Sequence, residues 1–322
     1  MRRLFKAFSV FVRRAGFRLV FDSDTDYRKS ILISGTGRSG TTWLSEIVNY
    51  RNEYRDIFEP FNSKKLSYLA AFGDRPYLRP HEVRPDLRQL AHQVLSGGIR
   101  SAWTERFNRR FVAHQRLIKD IRTNLMLKWL HCNFPGMPIV LMMRHPCAVA
   151  YSYEKEGWRG AVGPLLAQEN LMQDFLGPYK AEVENARDAF ERAIFIWCIE
   201  TLVPLTQFRS DEVHLVFYEN LLLDPKNELD RLFTYLGKEN YADALAVMDR
   251  PSRTSRRGSA VRTGEDRLSG WRKKVSAGRV QRAMEIVRLF GLETIYSEES
   301  TPNISAAIEM MDRERAPEST FV

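Results

Sequence analysis

The stretch that most constrains this 322-residue chain is Ser30–Ile47, SILISGTGRSGTTWLSEI. Ile31, Leu32 and Ile33 form an apolar run short enough for a buried parallel strand. Gly35, Gly37 and Gly40 break that run, and apolar residues resume at helical spacing with Leu44, Ile47 and Val48. A strand, a glycine-rich turn and a helix in that order aim several backbone N–H groups at one point. The positive end of the helix dipole adds to their pull, so an anion is the natural occupant.

The residues of the loop narrow the choice of anion. Gly35 and Gly40 have the spacing of a nucleotide-binding phosphate loop, but Thr41 stands where an NTPase carries lysine. That lysine serves the β- and γ-phosphates, and the loop Ser/Thr helps hold magnesium. Here the loop cation is Arg38. Amides, hydroxyls and one guanidinium, without a metal, suit a group of lower charge than a triphosphate, such as a sulfuryl group on a nucleotide phosphate. A kinase-like loop and a glycine turn with no ligand remain alternatives at this point.

A second strand-to-helix junction lies about one hundred residues further on, in PIVLMMRHPCAVAYSY, Pro138 to Tyr153. Ile139 to Met143 read as a central parallel strand, Arg144 ends it, and Pro146 suits the first turn of a helix. Ser152, eight residues after Arg144, falls nearly two turns into that helix. An arginine at the strand end and a hydroxyl on the helix can grip one phosphate from two sides, the guanidinium through charge-assisted bonds. Further strands are predicted at 54–58, 115–119 and 213–218. Glu59 closes the first of these, 21 residues after Arg38, where the active sites of doubly wound sheets collect. A carboxylate there can take a proton from an acceptor hydroxyl, or can instead pair with Arg38 or a neighbouring arginine.

These motifs resemble those of the sulfotransferases that use 3′-phosphoadenosine 5′-phosphosulfate (PAPS). Arg38-Ser39-Gly40-Thr41-Thr42 is similar to their first motif, in the arginine form of the carbohydrate, tyrosylprotein and bacterial branches. Arg144, Pro146 and Ser152 match the family's 3′-phosphate motif. Tyr218-Glu219-Asn220-Leu221, followed by Asp224-Pro225 and a helix closed by Gly237, resembles a segment whose tyrosine borders the adenine. Ser255-Arg256-Arg257-Gly258 resembles the family's later arginine-rich loop. Leu268 to Arg272 resembles its Gly-x-Trp-Lys part, with a longer spacing and Arg272 in place of lysine.

The resemblance, which spans residues 29–292, implies in-line transfer of a sulfuryl group from PAPS to a hydroxyl acceptor: a carbohydrate, a glycolipid, or another alcohol or phenol. It places Gly37, Arg38, Ser39, Gly40, Thr41 and Thr42 at the 5′-phosphosulfate, with Arg38 neutralising charge on the bridging oxygen and Glu59 as base. Arg144 and Ser152 fall at the 3′-phosphate, and Tyr218, Arg256, Arg257 and Gly258 complete the donor pocket, with no metal. Lys119 faces the nucleotide or sulfuryl group or, more ordinarily, pairs with Asp120; whether it or Trp271 contacts the donor stays open, and His145 reads as structural. A P-loop small-molecule kinase or NTPase, and a non-catalytic protein binding acidic glycans or lipids, are the rival classes.

The expected architecture is α/β: a single domain with a P-loop-like, mostly parallel sheet flanked by helices on both faces. A basic extension covers residues 1–28, and the α/β domain covers 29–297. That domain contains a basic, proline-broken acceptor-side insertion at 62–114 and a basic lid at 251–275. A polar tail is expected over 298–322. Hydrophobic content of 44% and charged content of 28% suit a globular core. The net charge of +9 suits an acidic partner, and no nucleic-acid module is evident. Cys132, Cys147 and Cys198 form no CxxC pair, which points to reduced cytoplasm rather than a disulfide framework or zinc site. The first 25 residues are interrupted too often by arginine and lysine to span a bilayer. They are read as a surface or packing helix, or as a peripheral membrane contact.

Overall fold

The computed structural model describes residues 19–239, 242–255 and 258–313. Five short strands carry the fold: β1 Ser30–Ser34, β2 Arg55–Phe58, β3 Arg116–Lys119, β4 Ile139–Met143 and β5 His214–Phe217. All pairings among them are parallel, in the spatial order β2-β3-β1-β4-β5.

β1, β4 and β5 are apolar on both sides because helices cover both faces. Ile31, Ile33, Val140, Met142 and Val216 point to one face, where they meet Trp43, Leu44 and Ile47 of helix α1 (Thr41–Val48). Leu32, Ile118, Leu141 and Phe217 point to the other. This period-two alternation is what a pleated strand imposes. On that second face lie α3 (Leu127–Asn133), α4 (Pro146–Lys155), α5 (Ala189–Gln207) and α9 (Ala277–Leu289). On the first face, α6 (Tyr218–Leu223) and α7 (Pro225–Tyr235) follow β5, and α8 (Ala242–Met248) packs beside α1. α5 is buried nearly all round, from Phe190 through Leu205, which marks a central helix rather than a surface one.

Three expectations need correction. The 62–114 region is not irregular throughout: Pro85 opens α2 (Pro85–Leu95), which buries Leu87, Ala91, Val94 and Leu95. Proline at the first helical position breaks nothing, because its missing N–H has no partner there anyway. The stretch after Glu298 is not simply a polar tail. Asn303 caps α10 (Ile304–Asp312), whose Ala307 and Met311 are buried and which packs on α5. Lys119 does not pair with Asp120, since the strand directs their side chains apart and Lys119 reaches Glu59. Among the described residues no helix is long and apolar enough to cross a membrane.

The topology locates a crevice. The connection after β1 leads towards β2, while the one after β4 leads towards β5, so the carboxyl ends of these two neighbours open between diverging segments. Ser30–Ile47 and Pro138–Tyr153 supply those two ends.

Candidate active site

The turn from β1 into α1 has no freedom in its glycines. Gly40 takes φ +103° as the residue preceding α1, and a Cβ there would lie 2.8 Å from the Tyr218 ring. A Cβ on Gly35 would lie 2.4 Å from the carbonyl oxygen of Met142 on β4, and one on Gly37 would lie 2.9 Å from Trp158. The loop backbone is therefore pressed between β4, Tyr218 and Trp158. Gly40 offers no side-chain cap to α1, so the first N–H groups of the helix, at Thr41 and Thr42, are left for another acceptor. The Ser39 hydroxyl is buried without a hydrogen-bond partner. A polar atom buried in this way is costly unless something accepts or donates there, and an anion in the turn would do so.

Arg38 takes φ +72°, a region sparsely used by residues other than glycine. Its side chain turns towards α4. Nε donates to the Ser152 hydroxyl at 2.9 Å, Nη2 lies 3.4 Å from Glu156 Oε1, and the guanidinium lies over the Trp158 ring at 5.8 Å. From the other side, Arg144 Nη1 donates to the carbonyl oxygen of Arg38 at 3.3 Å. The Arg144 guanidinium lies 4.0 Å from the centre of the Tyr218 ring, and its buried Nε has no hydrogen-bond partner. Arg38, Arg144, Ser152 and Tyr218 thus meet at one place. Orphaned donors on Ser39 and Arg144 flank it, as a bound anion requires.

Glu59 stands at the end of β2 with φ +42°, its amide bonded to the Lys119 carbonyl at 2.7 Å. Its carboxylate receives Lys119 Nζ at 2.8 Å on one oxygen and Arg122 Nη1 at 3.0 Å on the other. Burial pushes its pKa up, but Lys119 and Arg122 outweigh burial and hold it below the usual glutamate range. Arg122 also pairs with Asp74 at 3.2 Å. Asp120, beside them, is buried and accepts the amides of Phe61 and Arg122; burial raises it to about 6. Beneath the loop, Arg75 reaches the buried Glu200 at 2.5 Å. Burial pushes the Glu200 carboxyl up, against the pull of Arg75 and of a hydrogen bond from Thr36 of the loop.

The lid sequence is tied down at its base. Arg253 donates to Glu46 of α1 at 2.9 Å, to the Phe107 carbonyl at 2.7 Å, and to Asp56 of β2. The Gly258 carbonyl accepts Lys155 of α4, which brings this residue over the helix that carries Ser152. Arg256 and Arg257 lie outside the described residues. Trp271 is buried and stacks on His145 at 4.5 Å rather than facing the loop. His145 itself is fully buried: Nδ1 accepts the Cys147 amide at the start of α4, and Nε2 donates to the Ser297 carbonyl at 2.9 Å. Desolvation lowers it to about 4, which keeps it neutral and structural.

Three residues at the site escaped the sequence reading. Trp158 and Glu156 sit in a segment without periodicity just past α4, and only the turn after that helix carries them back to Arg38. Arg122 belongs to a strand-end turn whose direction sequence does not specify. A run of ionisable and aromatic residues directly after a predicted strand or helix end was the available signal. Among the described residues, no three His, Cys, Asp or Glu side chains come together as a metal site.

An open parallel α/β sheet flanked by helices, with a glycine turn after its central strand and an arginine after the strand beside it, is a P-loop-like fold. The family model described as the sulfotransferase family matches residues 30–243, and this chain belongs to that family. No curated protein matches the chain. Among solved structures, it is similar to a sulfotransferase from Mycobacterium avium: 13% identity, 85% of this chain and 78% of that chain covered, TM-score 0.44. A sulfotransferase from Alicyclobacillus acidocaldarius gives 15% identity, 88% and 96% coverage, and a TM-score of 0.41. A retinol dehydratase solved with androsterone and the inactive cofactor PAP gives 16%, 87%, 84% and 0.41.

Proposed function

We propose that this protein transfers a sulfuryl group from PAPS to an acceptor hydroxyl by in-line displacement. The observation that carries the reading is the meeting of the two motifs, with Arg38 bonded both to Ser152 and, through its carbonyl, to Arg144. The amides of Ser39, Gly40, Thr41 and Thr42, with the backbone of Gly37, hold the 5′-phosphosulfate. Arg144 and Ser152 hold the 3′-phosphate, Tyr218 borders the base, and Gly258 lies beside α4, which carries Ser152.

In the step itself the bond from sulfur to the phosphate-bridging oxygen breaks while a bond from sulfur to the acceptor oxygen forms. Arg38 stabilises the negative charge that builds on the leaving phosphate, an interaction strongest in the transition state. Glu59 accepts the hydroxyl proton. Its pKa is low for a base, but where bond breaking runs ahead of bond making, as in phosphoryl transfer, the proton leaves late and a weak base serves. The cations beside it, Lys119 and Arg122, favour an acceptor that carries negative charge close to its hydroxyl.

Thermal-shift titration with 3′,5′-ADP, PAPS, ATP and GTP tests the donor. A stabilisation by the first two that ATP at equal concentration does not match supports the reading. Magnesium-dependent ATP turnover would instead favour a small-molecule kinase. Transfer of labelled sulfate into fractionated extract then identifies the acceptor.

A further inference from the structure

A carboxylate lies on the underside of the phosphate loop. Glu200 of α5 is 1% exposed and accepts a hydrogen bond from Thr36, in the turn after β1. Thr36, Ser39, Arg144 and Glu200 line one cavity of about 10 Å³, which is room for a single water molecule. Glu200 therefore shares a cavity with two residues of the proposed donor pocket, Ser39 and Arg144. The turn gathers amides for an anion, and a negative charge beneath it has the wrong sign for that task. Like charges repel strongly where water is excluded.

The compensating cation comes from the insertion at 62–114. Arg75 Nε lies 2.5 Å from Glu200 Oε1, and Nη2 donates to the Tyr153 hydroxyl at 3.3 Å. Tyr153 follows Ser152 on α4, and its hydroxyl lies 3.1 Å from the place a Cβ on Gly37 would take. Arg75 holds this position with φ +55°. Gln168 fixes the backbone there by donating to the Arg75 carbonyl at 3.0 Å and accepting the Tyr77 amide at 2.7 Å. Strain of this kind persists only where the surroundings impose it. The other charged and titratable groups facing Glu200 are Arg122 after β3, Arg144 after β4 and Tyr153 of α4. Arg122 is engaged with Glu59 and Asp74 at 3.0 and 3.2 Å. Among the described residues, Arg75 is the one cation within ion-pair distance of Glu200.

We propose that Arg75 is a positioning residue for the sulfuryl donor: it neutralises Glu200 and so keeps the floor of the loop from repelling the phosphosulfate. This role rests on the loop holding an anionic nucleotide. An insertion expected on the acceptor side then also sets donor affinity. With methionine at position 75, burial of Glu200 is no longer opposed and its carboxyl holds a proton to higher pH. Once pH rises past that range, the ionised carboxylate faces the donor and weakens its binding. Glutamine at position 200 inverts the effect, because Arg75 then carries an unbalanced positive charge beside the loop and favours the anion. A pair that merely packs does neither.

The test is isothermal titration of the full chain with 3′,5′-ADP, comparing the parent with Arg75→Met, Glu200→Gln and the double variant at about pH 6.5 and about pH 8.5. Arg75→Met is expected to bind about tenfold more weakly than the parent at the higher pH, and closer to the parent at the lower. The double variant is expected within about threefold of the parent at both, and Glu200→Gln is expected to bind at least about threefold more tightly. A loss in Arg75→Met that is equal at both pH values, and that adding Glu200→Gln does not restore, overturns the proposal. Where Arg75→Met fails to fold because Glu200 is left buried and unpaired, Glu200→Gln decides alone, and the absence of tightening overturns it. The parent's affinity for 3′,5′-ADP against ATP reports the identity of the donor separately. If ATP is preferred, the same series read with ATP tests Arg75 all the same.

Discussion

Nε of Arg38 donates to the Ser152 hydroxyl at 2.9 Å, joining the loop after β1 to the helix after β4. The two residues are 114 positions apart, and only the adjacency of β1 and β4 brings them together. The proposed function gives Arg38 to the sulfuryl end of a nucleotide and Ser152 to its far phosphate, and a single hydrogen bond links the two side chains. Glu156 and Trp158 hold the other sides of the same guanidinium. Arg38 is thus oriented from three directions while its backbone stays in the left-handed region.

In the proposed mechanism, replacing Arg38 with alanine removes the group that meets charge on the bridging oxygen. Turnover is expected to fall at least about a hundredfold, the scale seen when an oxyanion stabiliser is lost. Single-turnover sulfate transfer measures it, and near-normal turnover would remove Arg38 from the mechanism.

Arg144→Ala separates donor ends. Losing a charge-assisted bond to the 3′-phosphate is expected to weaken 3′,5′-ADP by about tenfold to a hundredfold, some 1.5–3 kcal/mol. Adenosine phosphosulfate, which lacks that phosphate, should lose far less. Isothermal titration with both ligands decides, and an equal loss contradicts the 3′ assignment.

Glu59→Gln should leave 3′,5′-ADP binding intact and stop transfer. It should also change the pH dependence of stability in a defined direction. Because Lys119 and Arg122 outweigh burial and hold the folded pKa below the ordinary 4.5, the ionised carboxylate contributes stability above that pH. The contribution is lost as pH falls through the folded value. The stability gap between parent and variant, read by urea denaturation, is therefore expected to be full at pH 7, about 1–3 kcal/mol, and to close below pH 4.5. A gap that widens on acidification would reverse the argument.

Gly35→Ala tests the packing of the loop. The added methyl would sit 2.4 Å from the Met142 carbonyl, a backbone atom in the sheet that cannot yield cheaply. A loss of about 2–3 kcal/mol is expected. Gly237→Ala, at φ +62° with nothing within 4 Å, should cost about 1 kcal/mol from backbone strain alone. Urea denaturation of the two variants measures the difference, and equal losses would mean that the loop is not pressed against β4.

The amino-acid sequence by itself determined the five strands, to within a residue or two, and the glycine turn that leads into α1, because both are local. Apolar runs, glycines and prolines act on their own neighbours, so Ile31–Ile33 and Ile139–Met143 were legible as strands without knowledge of their partners. The order of the strands, and with it the contact between Arg38 and Ser152, belonged to the tertiary structure alone, since pairing depends on which apolar faces are left to bury each other. The same holds for the neighbours of Glu59. A lysine and an arginine surround its carboxylate because two strand ends lie side by side, and no spacing along the chain encodes which of many basic residues will arrive there. α10 was legible but missed: Asn303 caps the segment ISAAIEMMD, whose Ile304, Ala307, Ile308 and Met311 recur at helical spacing, and α5 supplies the surface on which Ala307 and Met311 are buried.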